Sequence, residues 1–122
     1  MIKLICLLKR KPGLSPAEFR RYYEDHHAPL ALKYLRGLLL DYRRNYPRQE
    51  ISHLTEKAAT GETELSYDAI TEMVVRDAAA LSEVNRVLAR PEVKAVIAAD
   101  EEAFLDRTAI RILVCDEQLS AE

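Results

Sequence analysis

Between residues 9 and 30 the sequence KRKPGLSPAEFRRYYEDHHAPL combines a nearly complete set of helix-start signals with a proline placed where the helix should still be running. Ser15 is an N-cap, Pro16 takes the first helical position, and Glu18 stands where a capping box needs its reciprocal carboxylate. Leu14 and Phe19 occupy the two positions of a hydrophobic staple. From Phe19, steps of three and four residues reach Tyr22, Tyr23, His26 and Leu30, with His27 on the edge of the arc, so one helix face is aromatic and bears imidazole. Pro29 deprives the Asp25 carbonyl of its helical partner, which predicts an end or a kink near Ala28 with both histidines in the last turn. A short helical extension over 30–36 is expected, capped by Gly37.

The elements around this helix follow from apolar spacing. Residues 2–9 carry apolar side chains on both parities and read as a strand covered on both faces, rather than as a targeting segment, because the run is broken at Lys3 and lacks a small-residue cleavage site. A second strand is expected over 38–46, ended by Pro47, and a third over 67–76, where Tyr67, Ala69, Met73 and Val75 share a face broken only by Thr71. Residues 48–66 lack periodicity and read as a long connection or lid. Asp77 caps a helix to about Ala89, Pro91 opens another whose inner face includes Val93, Val96, Ile97, Phe104 and also Asp100, and a last strand is expected over 108–115. Residues 117–122 read as a frayed tail.

This order predicts one α+β domain over residues 1–122: a ferredoxin-like βαββαβ unit with a four-stranded antiparallel sheet and helices on one face. The opposite face keeps too many apolar residues for water, which predicts a homodimer. A net charge of −2, with Lys and Arg scattered among carboxylates, argues against nucleic acid as a partner. No run approaches the roughly 18 apolar residues of a membrane span. Cys6 and Cys115 lie in apolar runs near opposite ends without a second Cys or His at ligand spacing, so buried free thiols in a reducing, cytoplasmic setting are expected, a disulfide between terminal strands being the alternative.

The sequence resembles the EthD-domain family of the dimeric α/β-barrel group in MIKLICLLKRKPGLSPAEFRRYYEDHHAPL, in YDAITEMVV and in ADEEAFLD. The resemblance implies a ferredoxin-like protomer, a dimer whose sheets face each other, and a pocket between sheet and helices. Families of this group include cyclases, dehydratases, isomerases and monooxygenases, and EthD itself is an accessory to an ether-degrading cytochrome P450 system, so the fold does not choose the reaction. The histidine before Ala-Pro in the family motif falls on His27, and the aromatic one turn earlier on Tyr23, where tryptophan is usual. The strand motif falls on Asp68 and Glu72, and the late acidic motif on Asp100 and Glu101. Ala69 and Val74 stand where relatives often have glycine and tryptophan.

Helical spacing favours His26 for the apolar face, whereas the family motif selects His27; a kink at Pro29 would turn His27 inward. A histidine at a helix C-terminus beside carboxylates suits general acid or base work, and the structural alternative is a side chain that caps the broken helix end. Glu72, between Ile70 and Val74, is expected to be the partner of His27 or else to form a salt bridge with Arg43, Arg44 or Arg111. Tyr42 and Asn45 are candidate stabilisers of an enolate or phenolate oxygen. Tyr23, His26, Asp68 and Asp100 complete the candidate substrate-binding set. His53 in the long connection is read as solvated unless the connection closes as a lid. No paired ligand pattern points to a metal, and no cofactor is expected. The function expected is cofactor-independent proton transfer on an aromatic or ketonic small molecule, in cyclisation, dehydration or isomerisation. The alternatives are a non-catalytic binding or accessory protein for an oxygenase pathway and a cofactor-free oxidoreductase.

Overall fold

The computed structural model describes residues 1–54 and 64–121. Strand β1 (Ile2–Leu8) leads into helix α1 (Pro16–Tyr22), a π-helical turn (Tyr23–His27) and α2 (Ala28–Leu35). Then follow β2 (Leu39–Asn45), β3 (Ala69–Val75), α3 (Ala78–Leu88), α4 (Pro91–Phe104), a 3-10 turn (Arg107–Ala109) and β4 (Arg111–Cys115). The strands form one antiparallel sheet in the order β2-β3-β1-β4. With helices packed on one side, the fold is ferredoxin-like α+β, as the element order predicts.

The start of α1 is built as its sequence requires. The Ser15 hydroxyl accepts from the Glu18 N–H at 3.1 Å, and the Glu18 carboxylate accepts from the Ser15 N–H at 3.0 Å. The expected break near Ala28 is replaced by a different solution. In the π-helical turn the Ala28 N–H reaches back to the Tyr23 carbonyl, five residues away, and helix resumes directly in α2. An extra residue in the turn resets the hydrogen-bond register ahead of Pro29, so the ring is accommodated without ending the helix. Gly37 then closes α2 with φ +81°, in the left-handed region that glycine adopts without strain.

Side chains alternate across the sheet. Leu4, Cys6 and Leu8 of β1 and Ala69, Thr71 and Val75 of β3 are buried against the helices. One core cluster centres on Phe19, Tyr23, Ala28 and Phe104, and a second on Leu35, Val75, Val84 and Val87; Met73 packs against both. On the outer side, Ile5, Leu7, Ile70 and Val74 are half-buried and Leu113 is exposed, so β1 is covered fully on one face only. The last strand is shorter than its apolar run suggests. The Asp106 carboxylate accepts from the Thr108 N–H and hydroxyl at 3.1 and 2.6 Å, and this local turn competes with the sheet ladder.

Both ends of the long connection are tied down. The Glu50 carboxylate accepts from the Ser66 N–H and hydroxyl at 2.7 and 2.8 Å, and Lys9 Nζ donates to the Leu65 carbonyl at 2.6 Å. Residues 55–63 of the expected lid, and residue 122 of the expected tail, lie outside the described residues. The tail is anchored at its start, where Glu117 pairs with Lys3. Both cysteines are free thiols.

Candidate functional site

Between the sheet and the helices lies a cavity of about 130 Å³ whose walls are mostly apolar: Leu8, Ala31, Leu35, Met73, Leu88, Ile97, Leu105, Ile110 and Ile112. Its polar lining comes from Tyr23, His27, Tyr42, Thr71 and Glu101, with the Cys6 thiol beside them. Apolar walls with a few convergent polar groups are the usual form of a small-molecule site. A wider depression of about 440 Å³ on the outer sheet face is lined by Lys3, Asp41, Arg43, Glu72 and Glu117, which are already engaged in ion pairs with one another.

The π-helical turn decides which imidazole enters this cavity. His27 is half-buried and packs edge-on against Tyr23, with ring centroids 5.2 Å apart, and 5.0 Å from Phe104. His26 is exposed and lies over Tyr22 at 4.6 Å, on the outer side of the helix. His27 Nδ1 is 2.6 Å from Asp100 Oδ2, and the Tyr22 hydroxyl donates to Asp100 Oδ1 at 2.8 Å. An ionised carboxylate can only accept, so Nδ1 carries the proton and Nε2 is left as the basic nitrogen. Burial and the bond to Asp100 push the Tyr22 phenol up to about 12, keeping it a donor.

Above the sheet runs a chain of hydroxyls. Tyr23 Oη and Thr71 Oγ1 are 2.6 Å apart, and the Tyr42 hydroxyl meets Tyr23 Oη at 3.4 Å. Burial is the main reason both phenols are shifted upward, so they stay protonated. The 3.4 Å contact is long, so Tyr42 gives up little by turning its proton to a ligand oxygen. Burial also pushes the Cys6 thiol up to about 11, which leaves it a poor nucleophile near neutrality.

Several sequence expectations are corrected here. Glu72 is not beside His27: it faces the outer side of the sheet, where Lys3 Nζ donates to it at 3.0 Å and Asn45 Nδ2 at 3.1 Å. These bonds hold its carboxyl below the ordinary range, the opposite of a proton-holding acid. Its cation is Lys3, directly across the β1 ladder from Val74, rather than any of the three arginines expected. Asn45 lies on that outer face too and also donates to the Ile70 carbonyl, because it is odd-numbered on a strand whose even-numbered Tyr42 points inward. Asp68 is a structural clamp: it accepts from the Arg10 N–H at 2.9 Å and has Arg10 Nε at 3.3 Å and Lys9 Nζ at 3.8 Å. His53 is exposed. Asp100, expected to touch substrate, is hydrogen-bonded to His27 Nδ1 and to the Tyr22 hydroxyl.

Sequence reasoning gave Thr71 no role, and it placed Glu101 in the late acidic motif without giving it one. Thr71 had a signal, as the single polar residue on the inward parity of β3. Glu101 had a weaker one, its place next to Asp100. Beyond the cavity, Arg44 donates to both oxygens of Glu24 at 2.8 Å and the Tyr46 hydroxyl adds a third bond, which together hold the Glu24 carboxyl down at about 2. Among the described residues, no three His, Cys, Asp or Glu side chains converge as metal ligands, and no helix is long and apolar enough to cross a membrane.

Fold and site together define a ferredoxin-like fold with a His–Asp pair beside an apolar cavity. The EthD domain model matches residues 11–108, and the chain belongs to the EthD family. Among solved structures it is similar to an ethyl tert-butyl ether d (EthD) family protein of Bacillus halodurans, at 23% identity over 97% of this chain and 99% of that one, with a TM-score of 0.63. It is similar to HapK of Hahella chejuensis, at 10% identity over 100% and 97% of the two chains, with a TM-score of 0.59. It is similar as well to SnoaB, a cofactor-independent oxygenase of Streptomyces nogalater, at 12% identity over 98% and 94%, with a TM-score of 0.58. At such identities the likeness is one of fold. No curated protein matches the chain.

Proposed function

We propose that this EthD-family chain binds a small aromatic or ketonic molecule in the cavity and moves protons on it without a cofactor, with His27 as the base. The observation that carries this reading is the 2.6 Å contact between His27 Nδ1 and Asp100, which frees Nε2 for proton abstraction at a cavity wall. Tyr42, supported by Tyr23, donates to the oxygen on which charge develops. The apolar walls hold the carbon skeleton and exclude water.

The reading includes a homodimer, a single domain over residues 1–122 and a cytoplasmic location. Ile5, Leu7, Ile70, Val74 and Leu113 form an apolar band on the outer sheet face that a second sheet would cover, and free Cys6 and Cys115 suit a reducing compartment. The test is a panel of aromatic ketones and phenols screened by NMR. A cavity ligand shifts the His27 ring resonances, and turnover disappears in His27→Ala; turnover undiminished in that variant removes the mechanism.

A further inference from the structure

We propose that Glu101 is the acid of this reaction, giving a proton to the substrate's carbonyl or hydroxyl oxygen from the cavity wall while His27 takes one from carbon, and that the occupant is therefore an uncharged carbonyl compound. The assignment rests on the proton-transfer reading above and deepens it.

Asp100 and Glu101 are neighbours on α4, so helical geometry turns their side chains about 100° apart. Asp100 faces Tyr22 and His27, whereas Glu101 faces the cavity. Its side chain is 23% exposed, and among the described residues its cationic partner is Arg107, whose Nε stands 3.7 Å from Oε1, beyond hydrogen-bond reach. That guanidinium is half-exposed and donates to Glu102 at 3.2 Å instead. Every other carboxylate of the site region is already hydrogen-bonded: Asp100 by Tyr22 and His27, Glu24 by Arg44 and Tyr46. Four groups face Glu101. His27 on the π-helical turn and Arg107 on the 3-10 turn favour its charged form, Asp100 opposes it, and the Cys6 thiol on β1 stands across the cavity as a neutral neighbour. Burial outweighs the pull of His27 and Arg107, so the carboxyl keeps its proton above the ordinary range.

The step balances without a co-reactant. His27 Nε2 takes the C–H proton next to a carbonyl, the electron pair moves to the carbonyl oxygen, and the Glu101 O–H bond breaks to give that oxygen its proton. The products are an enol, an imidazolium and a carboxylate, the last two both on residues that line the cavity. Returning the imidazolium proton to a different carbon, while the Glu101 carboxylate retakes the enol O–H proton, completes an isomerisation. In a dehydration the Glu101 proton goes instead to a hydroxyl on the next carbon, whose C–O bond breaks as the electron pair from the C–H bond forms C=C, and water leaves. Among the described residues the cavity lining holds Glu101 and neither lysine nor arginine, so a substrate carboxylate would meet no lysine or arginine partner in it.

The test uses the full chain and 2-indanone, a neutral aromatic ketone with acidic C–H bonds, followed by NMR as its C–H positions exchange in D2O. The expected result is exchange by the wild type, none by His27→Asn, and a loss of about 10²-fold in Glu101→Gln. The wild-type rate also falls as pH rises through the Glu101 titration, and this fall vanishes in Glu101→Gln. Full exchange in Glu101→Gln with none in His27→Asn overturns the assignment of Glu101 and leaves the pocket reading intact. Absence of exchange in the wild type overturns both.

Discussion

His27 Nδ1 and Asp100 Oδ2 are 2.6 Å apart although 73 residues separate them in the chain, and this contact joins the π-helical turn to α4 across the top of the cavity. The Tyr22 hydroxyl completes the carboxylate's coordination at 2.8 Å, so the imidazole is held in one orientation by a partner that is itself held. Asp100→Asn keeps the shape and removes the acceptor charge. We expect proton-transfer turnover to fall by about 10²-fold or more, with the His27 nitrogen shifts in NMR reporting a change of tautomer.

The Tyr23 hydroxyl, on a side chain 1% exposed, relies on Thr71 Oγ1 at 2.6 Å. Thr71→Val leaves it a single long contact to Tyr42 and is expected to destabilise the fold by about 1–3 kcal/mol. Adding Tyr23→Phe removes the orphaned hydroxyl, so the double variant should lose less than the sum of the two singles in chemical denaturation.

Glu24 gives a pH signature. Its folded value, near 2, lies below the ordinary 4.5, so the stability it contributes is present above pH 4.5 and is lost as pH falls toward 2. The carboxylate is more than a third exposed, and solvent screening keeps the effect modest. Denaturant midpoints of wild type and Glu24→Gln should differ at pH 6 and draw together only as pH falls to about 2 and below.

The apolar band of the outer sheet face predicts the assembly. Leu113, 49% exposed beside half-buried Ile5, is expected to lie in the contact between two copies. Sedimentation at micromolar concentration should give a dimer for the wild type and a monomer for Leu113→Lys. A monomeric wild type would remove the reason offered for that band.

The fold was largely legible because its signals are local: the capping box at Ser15 and Glu18, Pro91 at a helix start, the alternation of β3. The site was legible only where a residue's parity could be counted. Asn45 and Tyr42 lie three apart on one strand, and alternation alone separates them. Glu72 also sits on the outward parity, but its apolar neighbours Ile70 and Val74 made it look buried on the core side, when they belong to the outer band. The His27–Asp100 contact could not be read because it joins distant segments. Helical spacing alone favoured His26 because an α-helical period was applied across a π-helical turn, whereas the family motif and the expected inward turn at Pro29 selected His27, which lines the cavity.

Pro29 gives that turn a further meaning. Removing one residue from 23–27 would restore an ordinary helix and swing everything downstream by about 100° around the axis, while the proline ring would again collide with the preceding turn. The ring thus penalises the unwidened alternative and acts as a covalent lock on the angle at which one imidazole leaves the helix. Substituting this proline would remove that penalty from the unwidened helix.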